Sequence, residues 1–425
     1  MNTKTRGRSR VLPGLVDQAF SSGSNVLLVL AVARVSAPES FGIFALGYVG
    51  VTVALAVVRG SLGTPISLLS ATSEGVRVET FWAVRRVAII TTPLLVAGIL
   101  LAAFSSPSMR SIGMLLAALP VVLIQDLLRF ACLALDRSWT AALADGFWAL
   151  ASGTLLASTW ALGPWADAHW FVAIWLMSGV VSLVVLCVAA LGSPTGWQRG
   201  ANKDLAPKHQ EAPTSGDRVR LGLDASMGAW VTLIVTSGVT VVLDPVAAAA
   251  LRGAGAVLGP VNVLLASLQS VFVPLMVRRP RGTMPELLAV AAPVTSCVAA
   301  FAISVSLMGA LLPDRFGEML LGPTWIAAAP VLIVLGIEFL GHAILGPLLT
   351  VLRAKNRSRV LIRVRIGMGA AQIVFSLAAA YLVGSAVAVA LASVLVAWGA
   401  TPFVWTAVRR ETLRDHVGLS RGATA

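Results

Sequence analysis

The sequence is poor in charge: Asp, Glu, Lys and Arg make up 12% of its 425 residues, about half the share in an ordinary soluble domain. With 57% hydrophobic residues and a mean hydropathy of +0.87, that shortage excludes a soluble globular enzyme and a disordered chain. Cysteine is scarce as well. Cys132, Cys187 and Cys297 all lie in apolar runs, which reads as three buried thiols and excludes a disulfide framework. The four histidines stand at no metal-ligand spacing to one another or to cysteine, so no metal and no cofactor is expected. Lysine supplies only four of the 32 basic residues (Lys4, Lys203, Lys208 and Lys355), the habit of a GC-rich bacterial genome. A GxxxxGKS/T loop, a GxSxG elbow and an HExxH helix are all missing, which leaves no built-in ATPase or hydrolase.

What the chain has instead is long uncharged runs, among them 40–58, 87–109, 146–166, 168–198, 225–243, 253–277, 287–313 and 366–408. At roughly 20 apolar residues per crossing, the length accommodates about a dozen helices. The last run is too long for one span, and Gly384-Ser385 is its natural turn. The predicted spans are 13–34, 42–65, 85–105, 112–134, 141–163, 169–191, 221–243, 254–277, 286–312, 325–350, 361–383 and 386–408. The expectation is an all-α integral membrane protein of twelve helices.

The net charge of +13 would point to nucleic acid in a soluble protein. Here the bases sit between apolar runs and report topology and attraction to membrane lipids, so no nucleic-acid partner is expected. Counted in alternate loops, 27 Lys and Arg fall on one side. Arg34, Arg110, Arg252 and Arg315 fall on the other, and Arg59 lies inside a span. The positive-inside rule then puts both termini in the cytoplasm. Asp17 interrupts the first apolar stretch, so that stretch reads as an uncleaved helix rather than a signal peptide. Trp160, Trp165 and Trp170 flank an outer loop, where an aromatic belt belongs. The outer loops are too short to house a catalytic domain.

The only extended polar segment is 192–220. It divides the chain into an N-terminal six-helix bundle (1–191), a cytoplasmic linker (192–220) and a C-terminal six-helix bundle (221–425), the layout of a duplicated transporter. Weak internal likenesses agree: Ala134-Leu135-Asp136-Arg137-Ser138 follows the fourth span and Ala354-Lys355-Asn356-Arg357-Ser358 the tenth.

Few polar groups interrupt the spans. Asp17, Ser21, Ser24 and Asn25 lie at helical offsets of 0, 4, 7 and 8 on one face of the first helix. Asp224, Gly228, Thr232, Thr236 and Thr240 form a stripe in the seventh. Two readings stand for these stripes: the lining of a hydrophilic cleft, or small polar residues that let membrane helices approach one another. Arg59 sits in a stretch uncharged from Ser40 to Ser73. A guanidinium in lipid is costly, so it faces protein or a wet cavity, or snorkels inward. In a cavity its planar fork suits phosphate or pyrophosphate. Gln125, Asp126 and Arg129 are polar positions of the fourth helix, where an i, i+3 ion pair is the local reading. Asp145 reads as a first-turn carboxylate. Glu338 and His342, at i, i+4, read as a proton relay or a structural pair. Arg353, Lys355, Arg357, Arg359, Arg363 and Arg365 form the densest basic cluster, suited to anionic lipid.

The run Val16-Asp17-Gln18-Ala19-Phe20-Ser21-Ser22-Gly23-Ser24-Asn25, then Ala33-Arg34, then Glu39-Ser40-Phe41-Gly42 resembles the opening of bacterial polysaccharide-export flippases. These are the Wzx-like members of the multidrug/oligosaccharidyl-lipid/polysaccharide superfamily. Gln125-Asp126-Leu127-Leu128-Arg129-Phe130 with Asp136-Arg137 and Asp145 is similar to the helix 4–5 region of some members. The resemblance implies a MATE-like fold of two pseudo-symmetric six-helix bundles with alternating access in the bacterial plasma (inner) membrane. It also implies transport of a polyprenyl-(pyro)phosphate-linked glycan, with polysaccharide polymerase or glycosyltransferases as partners. Under it Arg59 is the position that serves the pyrophosphate; from the polar stripes and helix 4, Asp17, Ser21, Asn25, Asp224, Gln125 and Arg129 are the further expected substrate-site positions, with Asp17 or Asp224 as a cation site. The sequence departs from the pattern in offering one intramembrane arginine in helices 1 and 2, where relatives that handle pyrophosphate often carry several. Three rivals remain: a multidrug/cation antiporter of the same fold, a membrane enzyme acting on lipid-linked sugars, and a non-transporting component of a polysaccharide synthase complex.

Overall fold

In a computed structural model of the chain, residues 3–68, 73–162, 168–191, 214–265, 284–354 and 358–422 are described. They are almost wholly helical. The helices are α1 (Thr3–Val35), α2 (Pro38–Val58), the short α3 (Thr64–Leu68), α4 (Ser73–Phe104), α5 (Pro107–Ala134), α6 (Ser138–Leu162) and α7 (Ala168–Leu191). After the linker come α8 (Ser215–Val242), α9 (Pro245–Val257), α10 (Met284–Ala310), the short α11 (Asp314–Leu321), α12 (Trp325–Ala354), α13 (Ser358–Val383) and α14 (Ala386–Gly422).

Helix ends follow local chemistry. Proline opens α2, α5 and α9 at the first turn, where its missing N–H costs nothing. Asp244 caps α9 by accepting from the Ala247 N–H at 2.7 Å. Gly384, at φ +71°, makes the turn between α13 and α14 that the sequence predicts. Asp136, at φ 59°, turns the chain from α5 into α6.

Among the described residues, nine helices are long and apolar enough to cross a membrane. The number is ten if α9 and Gly259–Leu265, bent by 63°, form one broken span. The chain is a multi-pass membrane protein. Twelve is therefore the number of predicted segments met by a helix, not of established crossings; the end of the eighth predicted span and most of the 192–220 linker lie outside the described residues.

The chain divides into two compact units. The first comprises Met1–Leu233 with Leu321–Pro323, and the second Ile234–Leu320 with Thr324–Ala425. In the first, α1 packs on α6, α4 on α5, and α5 on α2 and α7. Leu128, Cys132, Ala141, Ala144 and Leu186 make one sealed cluster of α5, α6 and α7. α4 shows its other face to lipid, with Ile89, Ile90, Ile99, Leu100 and Phe104 exposed. At the end of the unit that the charge count places outside, the Arg34 guanidinium lies 5.5 Å over the Trp160 ring. Trp165 is outside the described residues.

The α4–α5 crossing depends on two glycines. A Cβ on Gly98 would stand 2.5 Å from the Ala117 nitrogen, and one on Gly113 2.5 Å from the Ala102 nitrogen. Backbone meets backbone there, as small residues allow in membranes. Gly98→Val is expected to separate the pair and cost about 1–3 kcal/mol, read as a lower midpoint of thermal unfolding in detergent.

In the second unit α12 packs against α9, α10 and α14, and α13 against α14. Leu345, Leu348, Val351, Leu352, Val404 and Val408 form its buried cluster. Cys297 corrects an expectation: it is exposed on α10, whereas Cys132 is buried and Cys187 half-buried. An apolar run shows that a residue is out of water, but not whether it faces protein or lipid.

Candidate functional site

Four helices of the first unit bring charges together in their interior, and a fifth, α7, adds the Ser182 hydroxyl. The site begins at the end of α2. The segment Arg59–Gly63 continues α2 as a π-helical turn before α3, a distortion frequent at functional sites. The sequence supports it with glycines at both ends. A Cβ on Gly60 would lie 2.4 Å from the Leu221 carbonyl oxygen and 2.7 Å from the Ala225 Cβ, and one on Gly63 2.9 Å from the Phe130 ring. Thr64 Oγ1 donates to the Arg59 carbonyl at 3.1 Å, and Ser61 Oγ to the Val57 carbonyl at 2.7 Å.

This turn aims Arg59 at α5. Its Nε donates to Asp126 Oδ2 and its Nη2 to Asp126 Oδ1, both at 2.8 Å, a two-bond carboxylate–guanidinium pair. Asp126 also accepts from Arg129 Nη1 at 3.2 Å. Arg129 is the centre. Its Nε donates to Asp17 Oδ2 at 2.7 Å, its Nη1 to Ser21 Oγ at 3.0 Å and its Nη2 to Gln18 Oε1 at 2.9 Å, all on α1. Its Nε also lies 3.3 Å from Asp145 Oδ2 on α6. Gln125 then donates to Asp145 Oδ1 at 2.6 Å and to Ser182 Oγ of α7 at 3.2 Å.

The members differ in exposure. Asp17, Gln125, Asp126, Arg129 and Asp145 are buried, whereas the Arg59 side chain is 33% exposed. Gln18 and Ser21 are half-buried, and Arg59 is the one charged member of the network that is not buried. An arginine has five N–H donors, and the pair with Asp126 engages only its Nε and Nη2, which leaves the Nη1 end for another acceptor. Three aspartates face two arginines, a deficit of one positive charge when all are ionised. Two buried oxygens, Asp17 Oδ1 and Asp145 Oδ2, accept no hydrogen bond. Among the described residues no group of three or more His, Cys, Asp or Glu is placed to hold a metal ion; the Arg129 guanidinium stands between the carboxylates.

The structure therefore joins Asp17, Ser21, Arg59, Gln125, Asp126 and Arg129 in one site and adds Gln18, Asp145 and Ser182, which sequence reasoning had not placed there. Asp145 is no solvated first-turn carboxylate. Arg129, one of the 27 basic residues counted on a single side, is buried in the bundle and reports nothing about loop charge. Asn25 Nδ2 and Ser24 Oγ donate to the Ser21 carbonyl of their own helix, at 2.9 and 3.0 Å. Asp224 is half-buried on α8, and farther along that stripe Thr232 and Thr240 bond to the backbone of α8 itself. Glu338 and His342, in the second unit, are a local pair with Oε1 and Nε2 3.3 Å apart.

No family model matches the sequence, and no curated protein does. Solved structures do match in fold. An inward-facing multidrug resistance MATE family transporter of the MOP superfamily aligns over 93% of this chain and 95% of its own, at 13% identity and a TM-score of 0.69. The lipid II flippase MurJ, in an inward closed conformation, aligns over 94% and 88% at 11% identity and a TM-score of 0.65. A MOP superfamily transporter from Pyrococcus furiosus Vc1 (DSM3638), whose binding pocket is described as reversed in polarity, aligns over 95% and 94% at 12% identity and a TM-score of 0.56. Along nearly its whole length, the chain has the fold of the MOP-superfamily transporters.

Proposed function

We propose that the protein is a flippase for a lipid-linked glycan. In this reading it moves a polyprenyl-(pyro)phosphate-linked sugar from the inner to the outer leaflet of the bacterial plasma membrane by alternating access, with both termini in the cytoplasm. One observation carries the reading: a single partly exposed guanidinium, Arg59, retains free donors at the edge of a buried charge network. Its Nη1 end receives a phosphate oxygen while Asp126 holds the other edge in place. Fixed orientation matters here, because a planar fork binds phosphate best when it is already aligned. The similarity in fold to a lipid II flippase supports the same class of substrate.

The buried carboxylates are the natural seat of any coupling. A network one positive charge short, with Asp17 Oδ1 and Asp145 Oδ2 unbonded, takes up a cation or proton more readily than a neutral one. Polysaccharide polymerase or glycosyltransferases are the proposed partners.

Arg59→Ala tests the assignment. Export of the glycan is expected to fall to background while inserted, folded protein is still recovered, at a lower unfolding midpoint because Asp126 then keeps only Arg129, and Arg59→Lys is expected to restore only part of the export. Normal export by the alanine variant would remove Arg59 from the substrate site. A multidrug antiporter is the second reading, favoured by the likeness to a multidrug resistance transporter. It predicts drug resistance in overexpressing cells, whereas the flippase reading predicts none and an accumulation of lipid-linked intermediate on deletion.

A further inference from the structure

Away from the charge network, the second unit carries a groove between α13 and α14. It encloses about 370 Å³. Along α13 its lining recurs every fourth residue (Arg363, Gly367, Ala371, Phe375), and across from these on α14 stand Gly399 and Phe403. Steps of four keep one helical face. At 1.5 Å per residue, the stretch from Arg363 to Phe375 is about 18 Å long. The small residues make the trough: a Cβ added to Gly367 or Gly399 would meet no atom within 4 Å. Phe375 and Phe403 are exposed beside it, so its mouth opens to hydrocarbon.

Two features select the occupant. The first is length: one leaflet contributes about 15 Å of hydrocarbon, half of the ~30 Å bilayer core, and the groove matches that. The second is charge. Among the described residues, Arg363 is the one charged residue of the lining. It stands at the end of α13 that the charge count places in the cytoplasm, and none of the ion pairs among the described side chains involves it. A cation at the headgroup level above a leaflet-long apolar trough complements a lipid with a negative phosphate and a saturated or near-straight chain.

We infer that this groove binds one anionic phospholipid of the cytoplasmic leaflet, with an acyl chain along Gly367, Ala371 and Gly399 and its phosphate on Arg363. The lipid is a resident ligand of the α13–α14 pair, independent of what the protein transports.

The test uses the full chain purified in detergent and titrated with phosphatidylglycerol or phosphatidylcholine of identical chains, read by native mass spectrometry. Wild type is expected to retain one phosphatidylglycerol about fivefold more tightly than phosphatidylcholine, the factor that ~1 kcal/mol per basic residue at a membrane surface represents. Arg363→Gln is expected to erase that preference, and Ala371→Leu, which fills the trough, to lose both lipids. No preference in wild type, or a preference that survives in Arg363→Gln, overturns the proposal. Displacement of phosphatidylglycerol by equimolar polyprenyl phosphate overturns it too, because the occupant is then the carrier. Should the leucine variant fail to elute as a single species, phosphatidylglycerol with a photoreactive acyl chain decides on wild type. Adducts within 363–375 and 395–403 support the site, and adducts only elsewhere reject it.

Discussion

Arg129→Met is expected to leave little folded protein. Arg129 is nearly sealed and faces Asp17, Asp126 and Asp145, at 2.7, 3.2 and 3.3 Å. Taking away one partner of a buried ion pair costs about 3–5 kcal/mol, because the other charge stays buried without compensation. Here three carboxylates share the loss, and only Arg59 remains to offset them. A whole domain is stable by about 5–15 kcal/mol, so this one change removes a large part of the margin. The measurement is the monodisperse fraction and the unfolding midpoint in detergent. A companion variant separates charge from shape. Arg129→Met with Asp17→Asn and Asp145→Asn leaves Arg59 opposite Asp126 alone, and much of the folded protein is expected to return without any export. Wild-type yield and export from Arg129→Met alone would contradict the network as described.

Gly60→Val has the second-largest expected effect, and it acts through backbone. The glycine is the second residue of the π turn and lies against Leu221, Gly222 and Ala225 of α8. A β-branched side chain meets a carbonyl oxygen at 2.4 Å and a methyl at 2.7 Å, distances at which backbone rather than a flexible side chain must move. Overpacking of this kind costs about 1–3 kcal/mol, and the shift falls on the residue next to Arg59. Export is therefore expected to drop at least tenfold even where folded protein is recovered. Gly50→Ala, on the same helix with no atom within 4 Å of the added Cβ, serves as the control and is expected to export normally. Equal export from both variants would show that the turn does not position Arg59.

The sequence exposes these sites unevenly, and the reason is physical. Hydropathy marks residues that leave water, so every predicted span meets a helix, but it is blind to where backbone hydrogen bonding stops. Thus α1 begins at Thr3 and α14 runs to Gly422, well beyond the apolar stretches 13–34 and 386–408. Helical spacing puts Asp17 and Ser21 on one face. It says nothing of Arg129, which lies 112 residues away from Asp17. A lone charge in an apolar run reveals that it needs a partner without naming one, and so Arg59 stood out while its bond to Asp126 did not. Asp145 has plain local explanations from its position alone; only the packing of α5, α6 and α7 brings Gln125 and Arg129 to it. The glycines flanking Ser61 and Leu62 were the available signal for the irregular turn.

The long-range pairing has a bearing on biogenesis. Aspartate at the centre of a membrane helix costs about 2.5–3.5 kcal/mol on insertion scales, and Asp17, the second residue of the apolar span Val16–Val35, bears a smaller share of that cost. The ribosome delivers Asp17 to the translocon 112 residues before the arginine that neutralises it, and Arg59 67 residues before Asp126. The first helices therefore leave the ribosome with their charges unmatched, and the pairs close only after α5 has been made. A chain that ends short of residue 129 keeps the Asp17 carboxylate without its guanidinium partner.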